Sequence, residues 1–412
     1  MRILLIHQYF LEKNDGGGSR FNEMTKSWAA EGHEVTVIAG MFLGVGEKKP
    51  ERYNGKYYFE DKGFYKDVDV FRTHVSGSYN VNFLGRLWAY FSFVFSSIYV
   101  GLFKVKRKHD IILVTSPPLF VGITAYVLSI FKRIPFVFEV RDLWPESAID
   151  TGVLQSKVII KFAYWFEAFM YKKAKLINVL TPAFRTKLIN KGVTEEKVIF
   201  IPNAADFSLA EAIQNDFNEL DFKKEIGLEG KFVITYVGAH GVANHLIQLL
   251  DTAELLRGTN VVFQLIGSGM EKQMLIEEKE KRQLDNVIFR DPVAKAEVFK
   301  YILASDMGTS VLKKVDTFKT IYSNKTFDYM SCKKPTLLAI DGVSRELVEE
   351  ADCGIYVEPE NPEEIASGIR SALSNQARLI EMGQNGYVHA TKHFDRSVLA
   401  KKYVTYMESI LK

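Results

Sequence analysis

The stretch "FVITYVGAHG", residues 232–241, is an unbroken apolar run that ends in a Gly-x-x-Gly turn. A run of this kind reads as a strand buried on both faces, as in a parallel sheet covered by helices. It follows a polar segment, "FSLAEAIQNDFNELDFKKEIGLEGK" (207–231), and it restarts a pattern. Downstream lie "VVFQLIG" (261–267), "VIF" (287–289), "DMGTSVL" (306–312), "TLLAI" (336–340) and "GIYVE" (354–358), with helix-patterned stretches between them. Upstream the same alternation runs through "ILLI" (3–6), "VTVIA" (35–39), "IILVT" (111–115), "FVFEV" (136–140), "LINVL" (176–180) and "VIFI" (198–201). Two successive α/β blocks predict two doubly wound domains facing across a cleft, with ligands beyond the carboxyl ends of the strands. The first block covers 1–205 and the second 206–394.

Composition agrees with this size. A chain of 412 residues is too long for one core, and 47% hydrophobic content supplies several. The net charge of +3 is too balanced for a nucleic-acid binder. Two cysteines cannot build a disulfide framework, and the short N-terminal apolar run lacks a cleavage pattern. Both point to the cytoplasm. The uncharged run "LWAYFSFVFSSIYVGLF" (87–103) is short for a bilayer span and reads as a buried or membrane-facing helix, with "KVKRK" (104–108) after it.

Four stretches carry candidate chemistry. Gly16, Gly17 and Gly18 follow the first strand and precede a helix whose apolar positions are Phe21, Met24, Trp28 and Ala29. A helix N-terminus attracts phosphate, so the triplet is either a cradle or a flexible connection. The intervening "HQYFLEKND" (7–15) is too long for a dinucleotide fingerprint, and no nicotinamide cofactor is expected. "EVRDLWPE" (139–146) sends Glu139, Arg141 and Asp142 off the end of a strand; the bland alternative is a capping loop in which Pro145 opens a helix. "YSNKTFDYMSCKKP" (322–335) opens a helix near Asn324, Lys325 and Thr326 and places Asp328 one turn in. A carboxylate there can accept two hydrogen bonds from a ribose. The "VGAHG" turn at Gly238 is a second possible anion nest. "DVD" (67–69) resembles the metal-binding pair of metal-dependent sugar transferases but reads as part of an edge strand, and His389 with His393 lacks a third ligand, so no metal site is expected.

Together, "GGGSR", "SPPLFVG" (116–122), "FVFEVRDLWPE" (136–146), "IPNAAD" (201–206), "VGAHG", "FQLIGSG" (263–269), "NVIF" (286–289) and "NKTFDYMSCKKPTLLA" (324–339) resemble retaining glycosyltransferases of family 4, with the GT-B fold. The resemblance is strongest to the branch that makes bacterial surface polysaccharides, including N-acetyl-fucosamine-type transferases. It implies that Gly16–Gly18 and Gly238, with the helix start at Asn324–Thr326, bind a donor diphosphate, and that Asp328 binds the ribose. Arg141 and Asp142 fall where many members carry His-Asp, and Glu139 stands beside them. The final helix, 395–412, is expected to cross back onto the first domain. Two departures stand out. Thr320 occupies the first acid of the family's Glu-x7-Glu pair, and "VANHL" replaces its basic residues after the glycine turn. Either His245, Lys313, Lys314 or Lys325 supplies the missing positive charge, or phosphate binding depends mainly on backbone N–H groups.

The expected activity is transfer of an N-acetylaminosugar from a UDP-sugar to a polyprenyl-diphosphate-linked saccharide in O-antigen or capsule synthesis. It would proceed without metal or other cofactor, in the cytoplasm and peripherally on the inner leaflet. The alternatives are a nucleotide-sugar epimerase of the same fold and a non-catalytic binder of nucleotide sugar or lipid-linked saccharide.

Overall fold

The computed structural model describes residues 1–13, 20–42, 49–80, 83–150 and 154–411. The chain divides into two compact units. One runs to Pro202 and takes in the final segment from Ser397, and the other spans Asn203–Arg396.

The first unit holds an eight-stranded sheet: β1 (Arg2–Ile6), β2 (Glu34–Gly40), β3 (Tyr58–Tyr65), β4 (Val68–Thr73), β5 (Ile111–Ser116), β6 (Phe136–Val140), β7 (Leu176–Val179) and β8 (Val198–Phe200). The order is β3-β4-β2-β1-β5-β6-β7-β8, parallel except for the β3–β4 pair. Central strands such as β5 and β6 are buried along their whole length, which explains their continuous apolar sequence. The exception corrects the reading of "DVD". β4 lies inside the sheet, and β3 is the edge. Asp67 forms the turn between them at φ +59°, and Asp69 accepts a 2.9 Å hydrogen bond from the Gly63 amide.

Right-handed crossovers distribute the helices. Arg20–Ala30 and the terminal helix Arg396–Ser409 share one face, where Trp28 Nε1 donates to the Ala400 carbonyl (3.0 Å) and meets Tyr403 edge-on. Phe83–Phe103, Val121–Lys132 and Lys157–Lys173 share the other. The first of these contains the 87–103 run. It buries Phe93, Val94 and Val100 and exposes Trp88, Phe95 and Phe103. Among the described residues, no helix is long and apolar enough to cross a membrane.

The second unit holds a six-stranded parallel sheet: β9 (Phe232–Val237), β10 (Val261–Ile266), β11 (Val287–Arg290), β12 (Met307–Val311), β13 (Thr336–Ala339) and β14 (Gly354–Tyr356). Its order is β11-β10-β9-β12-β13-β14. The order reverses between β9 and β12, so the carboxyl ends of these two strands mark the crevice where such sheets bind ligands. Ile234, Tyr236, Phe263, Leu265 and Leu337 fill the core beneath.

Candidate active site

At the carboxyl end of β9 the backbone turns sharply at Gly238, with φ +145°. A side chain at this φ is strained. A Cβ there would stand 2.7 Å from Lys325 Cε and 3.3 Å from Lys325 Nζ. The next turn, Gly267–Gly269, packs backbone to backbone against the first: Gly238 N donates to Ile266 O (3.0 Å) and His240 N to Ser268 O (2.8 Å). A Cβ on Gly267 would lie 1.9 Å from the Gly238 carbonyl oxygen. Gly267 and Gly269 are thus required by this close approach. His240 is fully buried between the turns, and neither ring nitrogen has a partner among the described residues. Burial, then Lys272 and Lys325, pushes its pKa down to about 4, so the ring is neutral at physiological pH.

Lys325 enters from the first turn of the helix Asn324–Ser331. Its ammonium lies 4.8 Å from the centre of the Tyr236 ring. Burial lowers its pKa to about 8, opposed by the charge of Asp328. The other candidate cations are placed differently. Lys314 is paired with Glu358 at 2.6 Å, Lys313 is exposed, and His245 sits in a left-handed turn with φ +47°. Of the four, Lys325 is the cation against the glycine turn.

Around Lys325 the helix start is densely polar. Asn324 accepts a hydrogen bond from the Asn203 side chain. Thr326 is buried, and its hydroxyl has no partner among the described residues. Ser323 does not cap the helix with its side chain; its hydroxyl bonds that of Ser310 at the end of β12, and its amide donates to Ser344 Oγ (3.1 Å). Asp328 accepts no side-chain hydrogen bond from the described residues. Burial raises its pKa, while Lys295 and Arg396 pull it down; both of these also pair with Asp206. Thr320 turns inward and donates to the Thr317 carbonyl (2.7 Å), so no carboxylate stands at that position.

In the first unit, the candidate residues at the end of β6 and just after it diverge. Glu139 has no exposed surface. Arg20 grips both carboxylate oxygens (3.1 and 3.3 Å), and Asn178 (2.9 Å) and Tyr403 (3.0 Å) donate to one of them. Arg20 also donates to the carbonyls of Ile201 and Pro202. Glu139 therefore ties β6, β7, the segment after β8 and the terminal helix together. This corrects its grouping with the groups that leave the sheet. Arg141 remains partly accessible; its Nε is 4.0 Å from Glu139 and has no hydrogen bond among the described residues. Asp142 accepts from Ser147 Oγ (2.8 Å), and burial raises its pKa. It is half-buried at the strand end, and through Ser147 it is bonded to the short helix Glu146–Asp150. Gly16, Gly17 and Gly18 lie outside the described residues.

Sequence reasoning missed His7 and Arg20. His7 is buried at the end of β1 with Nδ1 2.7 Å from Thr115 Oγ1. Burial, then Arg141, Arg72 and Arg20, holds its pKa well below the usual value, so it is neutral. Arg20 was visible in "GGGSR", but nothing in one dimension pairs it with Glu139.

Comparisons with known proteins agree with this arrangement. A family described as glycosyl transferase 4-like domain matches residues 15–204, and one described as glycosyl transferases group 1 matches 217–389. The chain is a glycosyltransferase of the GT-B fold class. It is 23% identical over 380 residues to the putative colanic acid biosynthesis glycosyl transferase WcaI of Escherichia coli (strain K12), covering 90% of this chain and 92% of that protein. It is 21% identical to the probable glycosyltransferase WbjE of Pseudomonas aeruginosa, covering 83% and 82%. Among solved structures, Anabaena HepE in complex with UDP and glucose superposes with a TM-score of 0.73 at 17% identity, over 99% of this chain and 100% of that one.

Proposed function

We propose that the protein transfers an N-acetylaminosugar from a UDP-sugar to a polyprenyl-diphosphate-linked saccharide during surface-polysaccharide synthesis, with retention of anomeric configuration. The observation that carries this reading is Lys325 held against Gly238 at the carboxyl end of β9. A diphosphate seated there meets backbone N–H groups, a helix N-terminus and one ammonium. These stabilise the charge that grows on the leaving group, the work a divalent ion does in other transferases. The reaction is accordingly proposed to be metal-free. The anomeric C–O bond to UDP breaks, the acceptor oxygen bonds to the same face of the sugar, and a departing phosphate oxygen takes the acceptor proton. Asp328 is assigned to the ribose hydroxyls. Arg141 and Asp142 are assigned to the reacting sugar and acceptor, and Glu139 to the scaffold of the first unit.

Support for the donor comes from HepE, a solved structure with UDP and glucose, and support for the pathway from WcaI, named for colanic acid biosynthesis. Thr320 favours a second reading, a non-catalytic binder, because the acid that usually meets the donor sugar is missing. Incubation with UDP-sugars alone tests the choice. A transferase releases UDP slowly by hydrolysis, an epimerase returns a changed sugar nucleotide, and a binder releases nothing.

A further inference from the structure

Three helices cover one face of the first unit's sheet: Phe83–Phe103, Val121–Lys132 and Lys157–Lys173. They pack in that order. Ser97 bonds Thr124 (2.8 Å) between the first two, and Tyr126 meets Phe169 edge-on between the second and third. Their inner sides are core. Their outer sides are unusually apolar: Trp88, Phe95, Phe103, Phe131, Phe162 and Trp165 are each between 47% and 71% exposed. Ring contacts run from Phe95 through Phe91 and the buried Phe120 to Phe162 and Trp165, tying three of these exposed rings to one cluster. So many large exposed rings on one helical face mark an interaction surface.

Its charge identifies the partner. Across all three helices the only acid is Glu167, which is buried and held by Lys191 (2.7 Å) and Tyr171 (2.9 Å). The exposed charges of the third helix are Lys157, Lys161, Lys172 and Lys173, of which Lys173 lies over the Tyr126 and Phe169 rings. Aromatic rings interspersed with lysine fit the headgroup region of an anionic bilayer, where rings insert and ammonium groups meet phosphate. A second copy of the chain fits poorly, because a twofold contact would press this lysine-bearing face against itself. The basic run 104–108 contributes less than its sequence implies: Arg107 is engaged by Glu34 (3.3 Å) and Asp69 (3.8 Å), and Lys104 lies over the Tyr58 and Tyr99 rings.

We propose that this three-helix face is the membrane-contact surface, with Phe131, Phe162 and Trp165 as inserting rings and Lys157, Lys161 and Lys172 as the anionic-lipid contacts. The assignment deepens the reading of a lipid-borne acceptor, but its test needs neither donor nor acceptor, so the two fail separately.

Sedimentation with phosphatidylglycerol-containing vesicles, against phosphatidylcholine vesicles, measures it. The wild type is expected to bind the anionic vesicles, more tightly at low salt. Changing Lys157, Lys161 and Lys172 to glutamine should lower partitioning about fivefold per lysine, roughly a hundredfold in all. The double variant Phe131→Ser, Trp165→Ser should lower it at least about tenfold. An unchanged unfolding temperature of the first unit in both variants reports an intact fold. The proposal is overturned if the wild type ignores anionic vesicles at low salt or if the lysine variant binds them as well as wild type does. It is equally overturned if the wild type forms a dimer that the aromatic variant abolishes.

Discussion

Lys325 and Gly238 are in mutual contact at the end of β9, so close that a Cβ at position 238 would displace the end of the lysine side chain. The lysine aliphatic stem occupies the space a Cβ would need, and the ammonium is left at the glycine turn. Lys325→Gln should therefore weaken UDP binding by roughly 1.5–3 kcal/mol, the value of a hydrogen bond to a charged group, or about 10- to 150-fold. Gly238→Ala should do so too, by displacing the lysine and straining a φ of +145°. Calorimetry with UDP reads both, and unchanged affinity in Lys325→Gln would remove the lysine from the site.

The pKa of Lys325, lowered to about 8 by burial, gives UDP binding a pH dependence. Below that value the ammonium is present; above it the charge is lost. Affinity is expected to be full near pH 7 and to fall between pH 8 and 9. Bound diphosphate favours the charged form, so complex formation near pH 8 should take up a proton. Calorimetry in buffers of different ionisation enthalpy measures that uptake. Lys325→Gln should abolish it; a proton uptake that persists in the variant would place the titrating group elsewhere.

Asp328 has three cations nearby, Lys295, Arg396 and Lys325, and no hydrogen-bond donor among the described side chains. Asp328→Ala should weaken UDP by roughly 1.5–3 kcal/mol if two ribose hydroxyls are its ligands. The comparison with 2′-deoxy-UDP is sharper. Wild type should prefer UDP, and the variant should bind both alike. A preference retained in full by the variant argues against a ribose contact.

Glu139 belongs to a different experiment. Replacing it with glutamine leaves buried Arg20 without its bidentate partner, and breaking a buried pair of this kind costs about 3–5 kcal/mol. Thermal unfolding of the first unit should occur at lower temperature, with UDP affinity unchanged. A stable variant with lost turnover would return Glu139 to the catalytic set.

How far the sequence could be read follows from what each residue touches. Parallel strands covered on both faces write themselves as apolar runs, so β5, β6, β9 and β10 were legible. β3 was not, because "YFEDKGFY" is a solvent-facing edge strand with a register shift between Asp61 and Tyr65. The local pieces of the site were legible too: a glycine turn after a strand, and a helix start bearing Lys325 and Asp328. The choice among four cations required three dimensions, since 87 residues separate Gly238 from the lysine that lies against it. Glu139 misled for the same reason: its sequence neighbours leave the sheet, while its own partners come from position 20 and, 264 residues away, Tyr403.

Turnover should survive exhaustive treatment with EDTA, because Lys325 and the amide groups at Gly238 and the helix start are assigned the charge stabilisation. Loss of activity on chelation, restored by magnesium or manganese, would replace that assignment with a metal-dependent one.

The central claim is sugar transfer from a UDP-sugar held at Lys325, and product analysis tests it most directly. A panel of UDP-sugars with polyprenyl-diphosphate-linked saccharides would be followed by mass spectrometry and the anomeric signals of the product. The account predicts one added N-acetylaminosugar per acceptor, an anomeric configuration matching the donor, equimolar UDP, and turnover sharply reduced in Lys325→Gln. An altered sugar nucleotide with no acceptor product, or UDP-sugar binding with no turnover across the panel, would contradict it.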